Sequence, residues 1–223
     1  MSDDYRRIAP WYDVLIDPFN RALRPIGFAL FKPDRNAPVL EVGCGTGTQL
    51  AFYRDRGCRI TGIDLSAAML RAASGRLTGG TLVCQGDAAR LPFPDRTFGL
   101  VLATLVLHEV DPAVRATVVE DMLRVTVPQG RIGIIDYNPQ PRRTLKGALA
   151  NRFIRMIERA AGRRHYTNYR RFIDAEGVPG LAARHGLQIE RCQRVSGGNI
   201  GIYRLRQMPP GEGPEMQKAQ SEQ

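Results

Sequence analysis

No apolar run in this sequence is long enough to cross a bilayer. The longest nearly apolar stretch, Phe98 to Leu107, is about half of the ~20 residues a spanning helix requires, and a buried strand explains it better. Cysteine is scarce: Cys44, Cys58, Cys84 and Cys192 stand far apart, with no CxxC pair and no nearby histidine pair. That pattern argues against both a zinc site and a disulfide framework and reads as small apolar fillers, so no metal is expected. The opening Met1-Ser2-Asp3-Asp4-Tyr5-Arg6-Arg7 has no apolar stretch behind a basic start and does not resemble a signal peptide. A cytoplasmic protein is expected, with attachment to the inner membrane surface as the one membrane role left open.

Acidic charge is scarce in one place. Between Arg142 and Arg171, ten Lys/Arg face a single acid, Glu158, whereas the rest of the chain holds 22 basic and 21 acidic residues within a total charge of +10. This predicts one basic patch rather than an evenly basic surface. No recognition module or aromatic-basic platform accompanies the arginines, so nucleic acid is not expected as a partner. Leu145, Leu149, Phe153, Met156, Ile157 and Ala160 recur there at helical spacing, with Arg152, Arg155 and Arg159 on an adjoining stripe. Such a helix either lies on an anionic membrane or covers the core with a solvated arginine face.

What is present is an ordinary globular composition, 43% hydrophobic and 24% charged, enough for one core. Residues 1–36, broken at Pro10, Pro18 and Pro25, read as short helices forming an N-terminal lid. Residues 37–207 read as the main domain, and 208–223, rich in Pro, Gly, Gln and Glu, as a disordered tail. Strand-like runs at Pro38–Val42, Arg59–Ile63, Thr81–Gln85, Gly99–Thr104 and Arg131–Tyr137 alternate with helical patterns, including Pro112–Val125, which predicts a parallel sheet with helical crossovers. Leu187–Val195 and Ile200–Arg206 flank Ser196-Gly197-Gly198-Asn199 and read as a hairpin adding one antiparallel strand.

The first strand runs into Gly43-Cys44-Gly45-Thr46-Gly47, a glycine-rich turn that lets a ligand approach the backbone. A dinucleotide site is the rival reading, but its fingerprint would need glycine or alanine at position 48, which is threonine. Glu41 would oppose a pyrophosphate and suits the ammonium and sulfonium of S-adenosylmethionine. Asp64 ends the second strand, where a carboxylate can accept both hydroxyls of a ribose, and Asp87 follows the third, where one can accept from an adenine amino group. Three acids at successive strand ends converge on one crevice.

The stretches VLEVGCGTG, GIDLS, GDAARLPFPDRTFGLVLA and LRVTVPQGRI resemble successive motifs of class I S-adenosylmethionine-dependent methyltransferases. The resemblance runs from about Tyr5 to Arg206 and implies a Rossmann-like α/β fold: a mostly parallel seven-stranded sheet, helices on both faces, and a C-terminal antiparallel hairpin strand. It places Glu41, Gly43, Gly45 and Gly47 near the methionine part, Asp64 at the ribose, and Asp87 with Ala88 at the adenine; Leu65, Met69 and Leu105 join the cofactor set. Gly99 stands where that family usually has aspartate, and Val127-Pro128-Gln129-Gly130 replaces Lys-Pro-Gly-Gly; both departures read as structural.

Tyr5-Arg6-Arg7-Ile8-Ala9-Pro10-Trp11-Tyr12-Asp13 is similar to the Tyr-x-x-x-Ala-x-x-Tyr-Asp opening of the ubiquinone/menaquinone C-methyltransferase family. Tyr12 is expected over the sulfonium and Tyr5 near the substrate, unless this helix merely packs its aromatics on the sheet edge. His108 is the candidate general base or acceptor-orienting group, with helix capping as its structural alternative. Tyr137 and Asn199 are expected to line the acceptor pocket. The expected activity is methyl transfer to a hydrophobic, membrane-dwelling acceptor, first a quinone-ring precursor. The stretch after Asp13 departs from the quinone family, so phospholipid amines and small molecules stay open, as does a non-catalytic cofactor-binding scaffold.

Overall fold

The computed structural model describes residues 17–77, 81–140 and 144–208. Tyr5, Tyr12, most of the expected lid and the tail after Met208 lie outside the described residues. Helices α1 (Asp17–Asn20) and α2 (Leu23–Phe31) precede β1 (Val39–Val42), α3 (Thr48–Arg54), β2 (Ile60–Asp64), α4 (Ala67–Ser74), β3 (Leu82–Gln85) and β4 (Phe98–Thr104). There follow α5 (Pro112–Val125), β5 (Thr126–Tyr137), α6 (Leu145–Ala160), α7 (Arg163–Asp174), α8 (Gly177–Arg184), β6 (Leu187–Val195), a 3-10 turn at Ser196–Gly198, and β7 (Ile200–Gln207).

The seven strands lie in the order β3-β2-β1-β4-β5-β7-β6, with β7 antiparallel to both its neighbours and the other pairings parallel. The expected fold class is therefore what the chain adopts. Helices cover both faces, so the central strands read as continuous apolar runs: Leu40, Val42, Val101 and Leu102 are fully buried. Among the helices, α2 packs on β5 and β7, with Leu23 and Phe31 buried. Helix α5 begins where the sequence expects, with Pro112 at its start and the Asp111 carboxylate accepting the Ala113 N–H.

Strand β5 begins five residues earlier than the sequence pattern implied. Phe98 pairs with Thr126 but Leu100 pairs with Arg131, so residues 127–130 form a bulge inside the strand rather than a turn before it. The departure from the family pattern at Gly99 has a steric ground. A Cβ there would lie 2.6 Å from the Ala37 Cβ, while Gly130, a glycine in both patterns, is kept because a Cβ there would lie 2.6 Å from the Thr126 Cγ2. The β6–β7 hairpin turns tightly, with Ser196, Gly197 and Gly198 at φ 52°, 65° and 88°. It presses on the start of α6, since a Cβ at Gly197 would sit 2.5 Å from the Gly147 Cα.

Helix α6 reverses the usual amphipathic arrangement. Leu145, Leu149, Phe153 and Met156 are 79%, 62%, 40% and 58% exposed, whereas its buried residues are Gly147 and Glu158. The reading of these four as a core-covering stripe is overturned: the helix turns a carboxylate inward and the leucine stripe outward.

Candidate functional site

Strand order reverses on either side of β1, so the crevice beyond the carboxyl ends of β1 and β4 is where an open α/β sheet takes a ligand. The turn after β1 has Gly43, Gly45 and Gly47 at φ 69°, 53° and 73°. A Cβ at Gly43 would come within 2.4 Å of the Val106 Cγ2, whereas one at Gly45 would meet nothing within 4 Å, leaving open space above that backbone. The Gly45 N–H donates to Asp64 Oδ2 and the Ser66 N–H to Asp64 Oδ1, both at 2.8 Å. Asp64 thus ties the glycine turn to the start of α4, whose first turn Ser66 caps by accepting the Met69 N–H. Opposite, Leu105 is held left-handed at φ 54°, its N–H donating to the Ile135 carbonyl at 2.7 Å.

The remaining expected cofactor residues sit around this turn with different exposures. Asp87 is exposed beyond β3 and accepts the Ala89 N–H at 2.9 Å, with Ala88 half-buried beside it. Leu65 leaves 49% of its surface exposed next to Asp64, while Met69 is buried in α4.

Glu41 gives the turn its electrostatic character. Its carboxyl is buried and its Oε2 has no hydrogen-bond partner. Burial pushes its pKa well above the usual carboxylate range, the Arg24 guanidinium works against that, and Asp64 adds to it. A cation brought to Oε2 would draw the proton off and supply the missing partner. An open cradle at Gly45, an orphaned buried acid oxygen, and a second carboxylate bonded to the turn fit a positively charged adenosyl sulfonium ligand. Sequence reasoning missed Arg24, which is buried, pairs with Asp17 and donates to Thr48 Oγ1 at 2.7 Å. Nothing local marks it, because its partners come from α1, β1 and α3.

On the other side of β4 lies a second constellation. His108 is buried; its Nδ1 is 2.7 Å from Asp136 Oδ1, and its N–H donates to Asp136 Oδ2 at 3.2 Å. Burial alone would push the imidazole pKa down, but Asp136, then Glu158 and Glu109, reverse this and raise it to about 9. Glu158 Oε1 accepts the Tyr137 hydroxyl at 2.8 Å, while Oε2 lies 2.7 Å from His165 Nε2 and 3.7 Å from His108 Nε2. Burial pushes the Glu158 carboxyl up, yet the two imidazoles outweigh it and leave it below its usual range. Helix capping falls to Asp111, so His108 is free of that duty.

Beside this cluster, a cavity of about 230 Å³ is lined by Tyr137, Asn151, Arg155, Tyr169, Arg170 and Asn199, among others. Tyr137 and Asn199, both expected at the acceptor pocket, share this wall. Asn199 is buried and held on all sides: its amide donates to the Gly147 and Ser196 carbonyls at 2.8 Å, and its oxygen accepts from Asn151 at 2.9 Å. Sequence reasoning missed Glu158, His165, Arg155 and Arg170. The one signal was Glu158 itself, the lone acid in the basic segment.

Residues 40–134 match the family model described as a methyltransferase domain. The chain is 31% identical to a demethylmenaquinone methyltransferase of Thermobifida fusca over 63% of this chain and 65% of that protein. It is 29% identical to one of Beutenbergia cavernae over 76% and 73%. It is also 38% identical to a phosphatidylethanolamine N-methyltransferase of Cereibacter sphaeroides, over 46% of this chain and 52% of that one. The chain thus spans just under two thirds of the Thermobifida relative. Among solved structures, a protein of Pyrococcus horikoshii superposes with a TM-score of 0.65 at 19% identity, covering 86% of this chain and 91% of its own. DhpI in complex with SAH superposes at 0.62 and 20% identity, covering 92% and 94%.

Proposed function

We infer, from the premise that this chain is a class I S-adenosylmethionine-dependent methyltransferase, that its acceptor is a hydrophobic molecule borne by an anionic membrane, with a quinone-ring precursor as first choice. The observation that carries this reading is the outward apolar stripe of α6. Leu145, Leu149, Phe153 and Met156 stand in solvent beside exposed Arg152 and Arg159, and Arg155 leads from the same helix into the cavity. An apolar stripe edged by arginines suits the acyl–headgroup boundary, where each basic residue adds about 1 kcal/mol near an anionic surface. Among the described residues no helix is long and apolar enough to cross a membrane, so contact would be peripheral.

S-adenosylmethionine, when bound, supplies a methyl group on a sulfonium centre. Glu41 and the Gly43–Gly47 turn would hold its methionine part, Asp64 the ribose hydroxyls, and Asp87, Ala88 and Leu65 the adenine. Tyr137 and Tyr169 form the apolar wall of the acceptor cavity. His108, carrying a proton at neutral pH, is suited to orienting groups through Asp136 and Glu158 rather than to abstracting a proton.

A second reading is a phospholipid amine. Arg155 and Arg170 in the cavity wall suit a headgroup phosphate, and Tyr169 with Asp174 suits an amine. The test is incubation with methyl-labelled S-adenosylmethionine and fractionated bacterial lipids, followed by mass analysis. Label in the quinone fraction supports the first reading and label in phosphatidylethanolamine the second. Label found only on water-soluble acceptors removes both.

A further inference from the structure

We propose that His108, Glu158 and His165 form a binding site for a divalent first-row transition metal ion, built from side chains other than those assigned to the methyl donor. The three come from separate elements, the loop after β4, the last turn of α6 and the first turn of α7, so no motif spacing announced them. Their ligand-capable atoms all lie within 4.8 Å of one another, with two separations at 2.7 and 3.7 Å. An ion bound tetrahedrally at about 2.0–2.2 Å from each donor would hold such atoms roughly 3.3–3.5 Å apart, so binding would part the 2.7 Å contact between Glu158 and His165 and draw His108 slightly closer.

Three independent features point the cluster at a cation. First, Glu158 Oε2 is buried and faces the two imidazole nitrogens at once, 2.7 Å from His165 Nε2 and 3.7 Å from His108 Nε2. Second, the outer contacts are those that orient metal ligands. Asp136 takes the Nδ1 of His108 and leaves Nε2 facing Glu158, while the Tyr137 hydroxyl takes Glu158 Oε1 and leaves Oε2 facing the imidazoles. Third, Glu109 stands 3.9 Å from His108 Nε2, a further carboxylate on the same side.

Two imidazoles and a carboxylate favour zinc or a neighbouring divalent ion over magnesium or calcium, which prefer all-oxygen sets. Access exists from the α7 side, since the His165 side chain is 18% exposed whereas those of His108 and Glu158 are 3% and 4%. The remaining coordination position would take Glu109 or an oxygen donor from outside the chain.

The experiment uses the full chain, stripped with a chelator and titrated with Co²⁺ and Zn²⁺. Expected are one Co²⁺ per chain with the absorption of a low-coordinate nitrogen–oxygen site, and a rise in melting temperature with Zn²⁺. His165→Ala, partly exposed and therefore tolerable to the fold, should weaken Co²⁺ binding by about 100-fold or more, and Asp136→Asn by about 10–100-fold. A metal-free His165→Ala chain with unchanged circular dichroism would show that the fold is intact. Glu158→Gln should abolish the Co²⁺ spectrum. The proposal is overturned if cobalt keeps the spectrum of its aqueous ion, or if binding is the same in wild type, His165→Ala and Glu158→Gln.

Discussion

The imidazole Nδ1 of His108 lies 2.7 Å from Oδ1 of Asp136, and the backbone N–H of His108 donates to the other oxygen of that same buried carboxylate. One acid therefore fixes both the ring and the loop that carries it. In the metal-free protein the folded-state pKa of His108, about 9, stands above the ordinary value of 6.5. Its contribution to stability is then fully present below pH 6.5 and is lost as pH rises towards 9. Chemical denaturation of the metal-free chain from pH 6 to 9 should show a decline on the order of a few kcal/mol that is much smaller in Asp136→Asn, where only Glu158 and Glu109 still favour the charged ring. A flat wild-type profile would mean the pair is not ionised. His108→Ala should leave S-adenosylmethionine binding unchanged by calorimetry and alter only turnover.

Asp64 has a double duty, since both its oxygens already hold backbone N–H groups of the glycine turn and of α4. Asp64→Ala should reduce affinity for S-adenosylmethionine by about 100-fold or more, because a lost charge-assisted bond of roughly 1.5–3 kcal/mol is compounded by loosening of the turn. Calorimetry with S-adenosylhomocysteine checks it; NADH captured in place of either adenosyl compound would contradict the assignment.

Glu41 sets stability against binding. Because burial raises its pKa in the folded chain, ionisation is penalised and its cost to stability grows as pH rises above about 4.5. Glu41→Gln should therefore gain in melting temperature relative to wild type as pH goes from 5 to 8, while losing at least about tenfold in affinity for S-adenosylmethionine. A melting difference that stays constant with pH would show that Glu41 titrates normally.

Much of the fold was legible because its signals are local. The alternation of strands and helices, the bounds of α5 and the hairpin of Leu187–Gln207 follow from periodicity and turn residues close in sequence. The glycine turn and its three acids were legible for the same reason, since each acid lies within two residues of the carboxyl end of its own strand. The early start of β5 was not, because Val127-Pro128-Gln129-Gly130 carries no strand pattern and joins the strand as a bulge only once β4 lies beside it. Of the Asp136–His108–Glu158–His165 cluster only His108 was legible as a site residue and Glu158 as a lone acid: the members are joined by packing across four segments, and the pattern of α6 left open which of its faces turns inward.

Gly99 offers a steric test of the fold. Gly99→Ala should destabilise by about 1–3 kcal/mol through contact with Ala37, and Ala37→Gly in the same chain should recover part of that loss. Additive effects in a double-mutant cycle would show that the two residues do not touch.

The exposed stripe of α6 can be tested directly. Leu149→Glu with Phe153→Glu should reduce sedimentation with vesicles rich in anionic lipid by about tenfold or more, without lowering the melting temperature, because neither residue packs in the core. Equal sedimentation of the double variant would remove the helix from any membrane role.

Strand β7 lies between β5 and β6, so the sheet is completed from within by the last of its seven strands in chain order. Until Ile200–Gln207 emerges, Ile132–Tyr137 presents a bare edge and β6 has no neighbour to pair with. A nascent chain can thus assemble its ligand crevice early while remaining open to mispairing on the opposite flank, and closure at that late moment protects it from aggregation.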